Sequence, residues 1–168
     1  MLNNFSRKLE ISANILIVAV ALLFGYVLFQ KAFLNNSQTK APSFELTAGT
    51  KIALQDVDFQ ANGKTLLLAL QKGCTYCSAS MPFYKTLMEK APEKGVKFVG
   101  VLPDAHEEAL GYLKEHGVIL PEIRQAELDS VNVRGTPTLI LIDQNGDVLH
   151  SWVGKLSPER ESEVISQL

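Results

Sequence analysis

The chain has 168 residues, 46% of them hydrophobic and 20% charged, enough for one globular domain with a short appendage. Its 16 Lys+Arg against 18 Asp+Glu leave a formal net charge of −2. That excludes the basic footprint of a nucleic-acid binder and the charge block of an acidic disordered tail. Both cysteines lie in one four-residue window, which excludes a secreted disulfide scaffold and leaves a redox or metal site open.

The first element is apolar throughout. Ile11 to Gln30, ISANILIVAVALLFGYVLFQ, holds 20 residues without a charge. At ~1.5 Å of rise per residue, a helix of that length spans about 30 Å, the hydrocarbon thickness of a bilayer. A cleaved signal peptide has a core of roughly 7–15 apolar residues and then a small-x-small cleavage site; the following AFLNNSQTKAP offers none. A buried helix of a soluble domain would show an amphipathic stripe, and none is visible. We therefore expect a cytoplasmic segment over 1–10, a transmembrane signal anchor over 11–34, a tether over 35–43 and a folded domain over 44–168. Arg7, Lys8 and the terminal amine precede the span while Lys31 and Lys40 follow it, only a slight bias. An inside N-terminus and a domain outside the cytoplasm are expected mainly because of what the domain carries.

From Ala41 onward, 12 Lys+Arg face 17 Asp+Glu, so the domain carries about −5. Three apolar runs of β-type composition follow: Thr65 to Gln71, Val96 to Leu102 and Thr138 to Asp143. Runs without polar alternation suggest strands covered on both faces. Between them, helices are predicted from about Thr75 to Glu89 and from Asp104 to His116, the second with Asp104 as N-cap. After the third run, QNG signals a tight turn and DVLHSWVG alternates like a half-exposed strand. Ser157-Pro158 opens a last helix, with Glu159, Glu161 and Glu163 at its positive end. The order β-α-β-α-linker-β-β-α, ending in a hairpin, predicts a mixed sheet flanked by helices.

The first strong strand runs into KGCTYCSASMPFY. Cys74 then falls at a helix N-terminus, where unpaired N–H groups and the macrodipole favour an anion. That stabilises the thiolate, the species that attacks disulfides. Cys77, one helical turn on, can close an intramolecular disulfide, so attack by Cys74 and resolution by Cys77 make a two-step exchange. An inert buried pair or half a zinc site are the competing readings. Zinc needs four ligands, and the sequence has no second CxxC or paired-histidine motif; His106, His116 and His150 are scattered. No cofactor or metal site is assigned. Lys72 beside Cys74 would favour its thiolate electrostatically, or is an ordinary exposed lysine. Tyr76 between the cysteines is a candidate for shaping the substrate surface.

Cys74-Thr75-Tyr76-Cys77 with Pro82 five residues beyond resembles the active-site helix of the thioredoxin-like superfamily. Some 60 residues later, VRGTPTLILIDQNG resembles that superfamily's cis-proline loop, strand and hairpin. The upstream APSFELTAGTKIALQDVDFQANGKTLLLAL resembles the extra N-terminal hairpin of its redoxin branch, which includes the membrane-anchored TlpA/ResA-type oxidoreductases. The resemblance covers Ala41 to Leu168. It implies a thioredoxin-like α/β fold, a cis Thr136–Pro137 bond against the CxxC, and substrate contacts from Thr136 and Pro137. It also implies partners: protein thiols and disulfides of exported proteins, apocytochromes c included, and a membrane electron donor or acceptor.

The sequence departs from that family at three positions. Gly73 stands where many thioredoxins carry Trp, Leu68 where they bury an Asp, and Ser80 where the TlpA/ResA branch often has Glu. Two other activities fit less well. A peroxiredoxin-like peroxidase would carry Thr three residues before its cysteine, where Gln71 stands, and a metal-carrying assembly factor would use CxxxC.

Overall fold

The computed structural model describes residues 44–168, together with Ile17, Val18, Val20, Leu22, Leu23, Phe24 and Tyr26. Those seven are helical and exposed. Two compact units divide the chain at residues 42 and 43. Among the described residues no helix is long and apolar enough to cross a membrane. Apart from those seven positions, the anchor expected over 11–34 lies outside the described residues, as do the segments 1–10 and 35–43.

The second unit is built on five strands: β1 (Lys64–Ala69), β2 (Val96–Leu102), β3 (Ile123–Gln125), β4 (Thr138–Ile142) and β5 (Val148–Val153). Their order in the sheet is β3-β2-β1-β4-β5. β2 is parallel to β1 and β3, whereas β4 is antiparallel to β1 and β5. The expected mixed sheet is therefore present. Five helices accompany it: α1 (Phe59–Asn62), α2 (Thr75–Ala79), α3 (Met81–Glu93), α4 (His106–Glu115) and α5 (Pro158–Gln167).

The central strands are covered on both faces, which is why their sequences do not alternate. Leu66, Leu68 and Leu70 face one cluster with Tyr84, Leu87, Phe98, Trp152 and Val164. Leu67 and Ala69 face another with Ile52, Phe59, Val131, Ile140 and Ile142. Leu66, Leu67 and Leu68 are all fully buried; each such side chain contributes about 1.5–3 kcal/mol of transfer free energy.

Four expectations need correction. The single helix expected from Thr75 to Glu89 is two helices, α2 and α3, meeting at Ser80. Pro82 in the first turn of α3 has no N–H to donate back into α2, so the ladder breaks there. The second predicted helix starts at His106, not Asp104, because the Asp104 carboxylate accepts instead from the Lys72 backbone N–H at 3.0 Å. The linker before β4 contains β3 and a 3-10 turn, Leu128–Val131. β3 is too short for periodicity to reveal it. Finally, residues 44–54 form no hairpin of their own. They run beside β5, with Ile52 N–H donating to the Gly146 carbonyl at 2.9 Å and a bridge between Lys51 and Asp147. Covering that edge protects it from pairing with another chain.

Candidate active site

The site forms where β1 ends. Leu70 N–H still donates to the Val101 carbonyl, then the chain turns through Gln71, Lys72 and Gly73. Gly73 takes φ 79°, in the left-handed region that side chains other than glycine resist. This turn delivers Cys74 to the N-cap of α2, where its Sγ accepts the Cys77 backbone N–H at 3.2 Å. Cys74 and Cys77 are joined by a disulfide, their Cα atoms 5.2 Å apart. Exposure separates them: Cys74 is half-buried, and Cys77 is fully buried in the apolar cluster beneath the helix.

The loop before β4 closes over the pair. Thr136–Pro137 is a cis peptide bond, and the Thr136 carbonyl oxygen lies 3.5 Å from Cys74 Sγ. Pairing of Ala69 with Thr138 explains how residues so distant in sequence meet, since β1 ends where antiparallel β4 begins. Two contacts hold the loop: the buried Thr138 hydroxyl donates to the Gly135 carbonyl at 2.7 Å, and Gly154 N–H donates to Pro137 at 2.7 Å. Reasoning from sequence did not single out Thr138, and it gave Asp104 only a capping role. A hydroxyl beginning an apolar strand was the available signal for the first.

The remaining candidates sort by position. Tyr76 is 63% exposed beside the disulfide. The exposed Lys72 ammonium faces Glu108 at 3.5 Å. Leu68 is fully buried in the cluster that holds Cys77. The Ser80 hydroxyl is buried and donates to the Tyr76 carbonyl at 2.8 Å. Nearby, burial pushes the Tyr84 phenol well above its ordinary pKa, opposed by its hydrogen bond with Ser80. His106 is exposed, His116 bonds the Tyr112 carbonyl, and His150 stacks on Trp152, so they do not converge. A groove of about 750 Å³ flanks the disulfide, lined by Gly73, Thr75 and Ser78 on one wall and Glu108, Tyr112 and Glu115 on the other.

A dithiol–disulfide pair at a helix N-terminus can accept or donate two electrons by exchange. Residues 36–168 match the model of the Redoxin family. The chain belongs to the redoxin family. This redoxin is 28% identical over 147 residues to the thiol-disulfide oxidoreductase ResA of Bacillus thuringiensis, covering 81% of this chain and 83% of that one. The ResA of Bacillus anthracis matches to the same extent. Its fold is that of a DsbE-type thiol:disulfide interchange protein of Chlorobium tepidum, with TM-score 0.59, 23% identity, and 73% and 95% of the two chains covered. StoA of Bacillus subtilis gives TM-score 0.51 at 18% identity, over 61% and 81% of the chains. The redoxin is thus an oxidoreductase, and its chemistry is thiol–disulfide exchange.

Proposed function

We propose that this redoxin is tethered to a membrane by Ile11 to Gln30 and exchanges disulfides with exported proteins outside the cytoplasm. The observation that carries the reading is the half-buried Cys74 Sγ at the N-terminus of α2, bonded to a fully buried Cys77. In the reducing direction the Cys74 thiolate attacks a client disulfide, forming a mixed disulfide and expelling the client's other sulfur as thiolate. The Cys77 thiolate then attacks Cys74 Sγ, releasing the second client sulfur and forming the Cys74–Cys77 disulfide. The client gains two electrons and the redoxin loses two. Oxidation of a client dithiol is the same path reversed.

The Cys77 N–H directed at Cys74 Sγ, with the positive end of the helix dipole, supports Cys74 as the nucleophile. Thr136, Pro137 and Tyr76 are the client contacts in this reading. Thr136 and Pro137 present backbone beside Cys74, Pro137 without an N–H of its own, so an extended client segment can pair there. Exposed Tyr76 adds apolar area at the rim. A membrane partner supplies or removes the electrons, because disulfides persist mainly in oxidising compartments. The apolar span without charge supports the tether.

The test is a redox titration of the full chain in detergent, following Cys74 and Cys77 by alkylation mass shift across thiol/disulfide buffers. A potential near about −270 mV marks a reductant fed by a membrane partner, and one near about −120 mV marks a disulfide donor. Failure of the pair to interconvert at any poise overturns the proposal.

A further inference from the structure

The disulfide lies beyond the C-terminal end of the central strand β1, and the charges on its two flanks differ. On the β2 flank, α4 brings the exposed Glu108 and Glu115 to the groove beside the CxxC, with Lys72 already facing Glu108. On the β4–β5 flank stand two exposed cations. Arg134 is two residues before Thr136, a distance of at most ~7 Å along extended chain. Lys155 follows Gly154, whose N–H is bonded to the Pro137 carbonyl. Neither cation makes a hydrogen bond or ion pair with any described residue, whereas Arg124 and Arg160 are each held by carboxylates. Two free cations thus border the loop that meets Cys74, in a domain whose 12 Lys+Arg are outnumbered by 17 Asp+Glu.

We propose that Arg134 and Lys155 form a cationic rim that receives an acidic side chain of the client, next to its reacting cysteine. The proposal rests on the reading of Thr136 and Pro137 as client contacts and adds the sequence that the site prefers. Arg134 can grip a carboxylate with its planar fork, and Lys155 adds a point charge. Because neither is neutralised by any described residue, no ion pair among them has to break when the client arrives. Their charge also steers encounter toward this flank.

The experiment uses the full chain in detergent and three disulfide-containing peptides that differ only in Glu, Gln or Lys beside the cysteine. We expect kcat/KM to fall from Glu to Gln to Lys by about two- to five-fold per step, the range of exposed ion pairs. The spread should shrink at about 0.5 M salt, where screening acts over a few ångströms. The charge-reversed variant R134E/K155E should invert the order, while R134K/K155R should keep it. Equal rates on the three peptides at low salt, or an unaltered order in R134E/K155E, overturn the rim and leave disulfide exchange standing. No exchange with any peptide removes the proposed function, and the rim with it.

Discussion

Cys74 Sγ and the Thr136 carbonyl oxygen are 3.5 Å apart, across 62 residues of sequence. The half-buried Cys74 sulfur is thereby set against the backbone of another segment; in the proposed exchange, a client that pairs with this loop brings its own sulfur to Cys74. Cys77, bonded to Cys74, is fully buried in the apolar cluster beneath the helix.

This division of roles predicts different fates for the two cysteine variants. Cys74→Ser should reduce exchange with a protein disulfide to the uncatalysed background. Cys77→Ser should retain the first attack and accumulate a covalent client adduct, visible as the summed mass on a non-reducing gel. Turnover retained in Cys74→Ser would sink the assignment.

Gly73 explains a departure from the thioredoxin pattern. Its φ of 79° is left-handed, and a Cβ built there meets nothing within 4 Å, so the obstacle to a side chain is conformational. Gly73→Trp, the thioredoxin-like residue, should cost about 1–2 kcal/mol. Gly73→Asn should cost less, since Asn tolerates this region. Denaturant midpoints measure both, and a Trp variant as stable as the parent would show that the turn adjusts.

The Thr138 hydroxyl positions the loop without touching the sulfurs. Thr138→Val should remove its bond to the Gly135 carbonyl and about 0.5–1.5 kcal/mol of stability. A loosened client surface should raise KM more than it lowers kcat, and Thr138→Ser should restore it. An equal loss in both variants would mean that packing, not the hydrogen bond, matters.

Tyr84 sets an alkaline limit. Burial raises its phenol above the ordinary value of about 10, so the neutral form is favoured in the folded protein. Its contribution is complete below about pH 10 and is lost as pH rises from there toward the folded value, because the unfolded chain ionises first. Tm should therefore fall less steeply between about pH 9.5 and 11.5 in Tyr84→Phe than in the parent. Parallel curves would remove Tyr84 as the cause.

Much of this protein was legible in one dimension. Val96 to Leu102 is a strand over the residues expected, and Ser157-Pro158 opens the last helix as its chemistry requires. The CxxC at a strand-to-helix turn was equally plain, because each of these signals is local: a period, a proline, a cap. What failed was decided by distant partners. Asp104 has the chemistry of an N-cap, yet the turn after β1 offered it the Lys72 N–H first. The stretch before β1 resembles a hairpin, but residues 49–52 pair instead with the chain at the start of β5.

The sequence by itself determined the mixed α/β order, the CxxC pair and Pro82, the proline at which the active-site helix breaks. Only the tertiary structure decided that Cys77 is sealed from solvent, that Lys72 faces Glu108, and that Arg134 and Lys155 meet no partner among the described residues beside the loop. Burial and charge pairing depend on which strands lie side by side, and no local pattern in the chain encodes that adjacency.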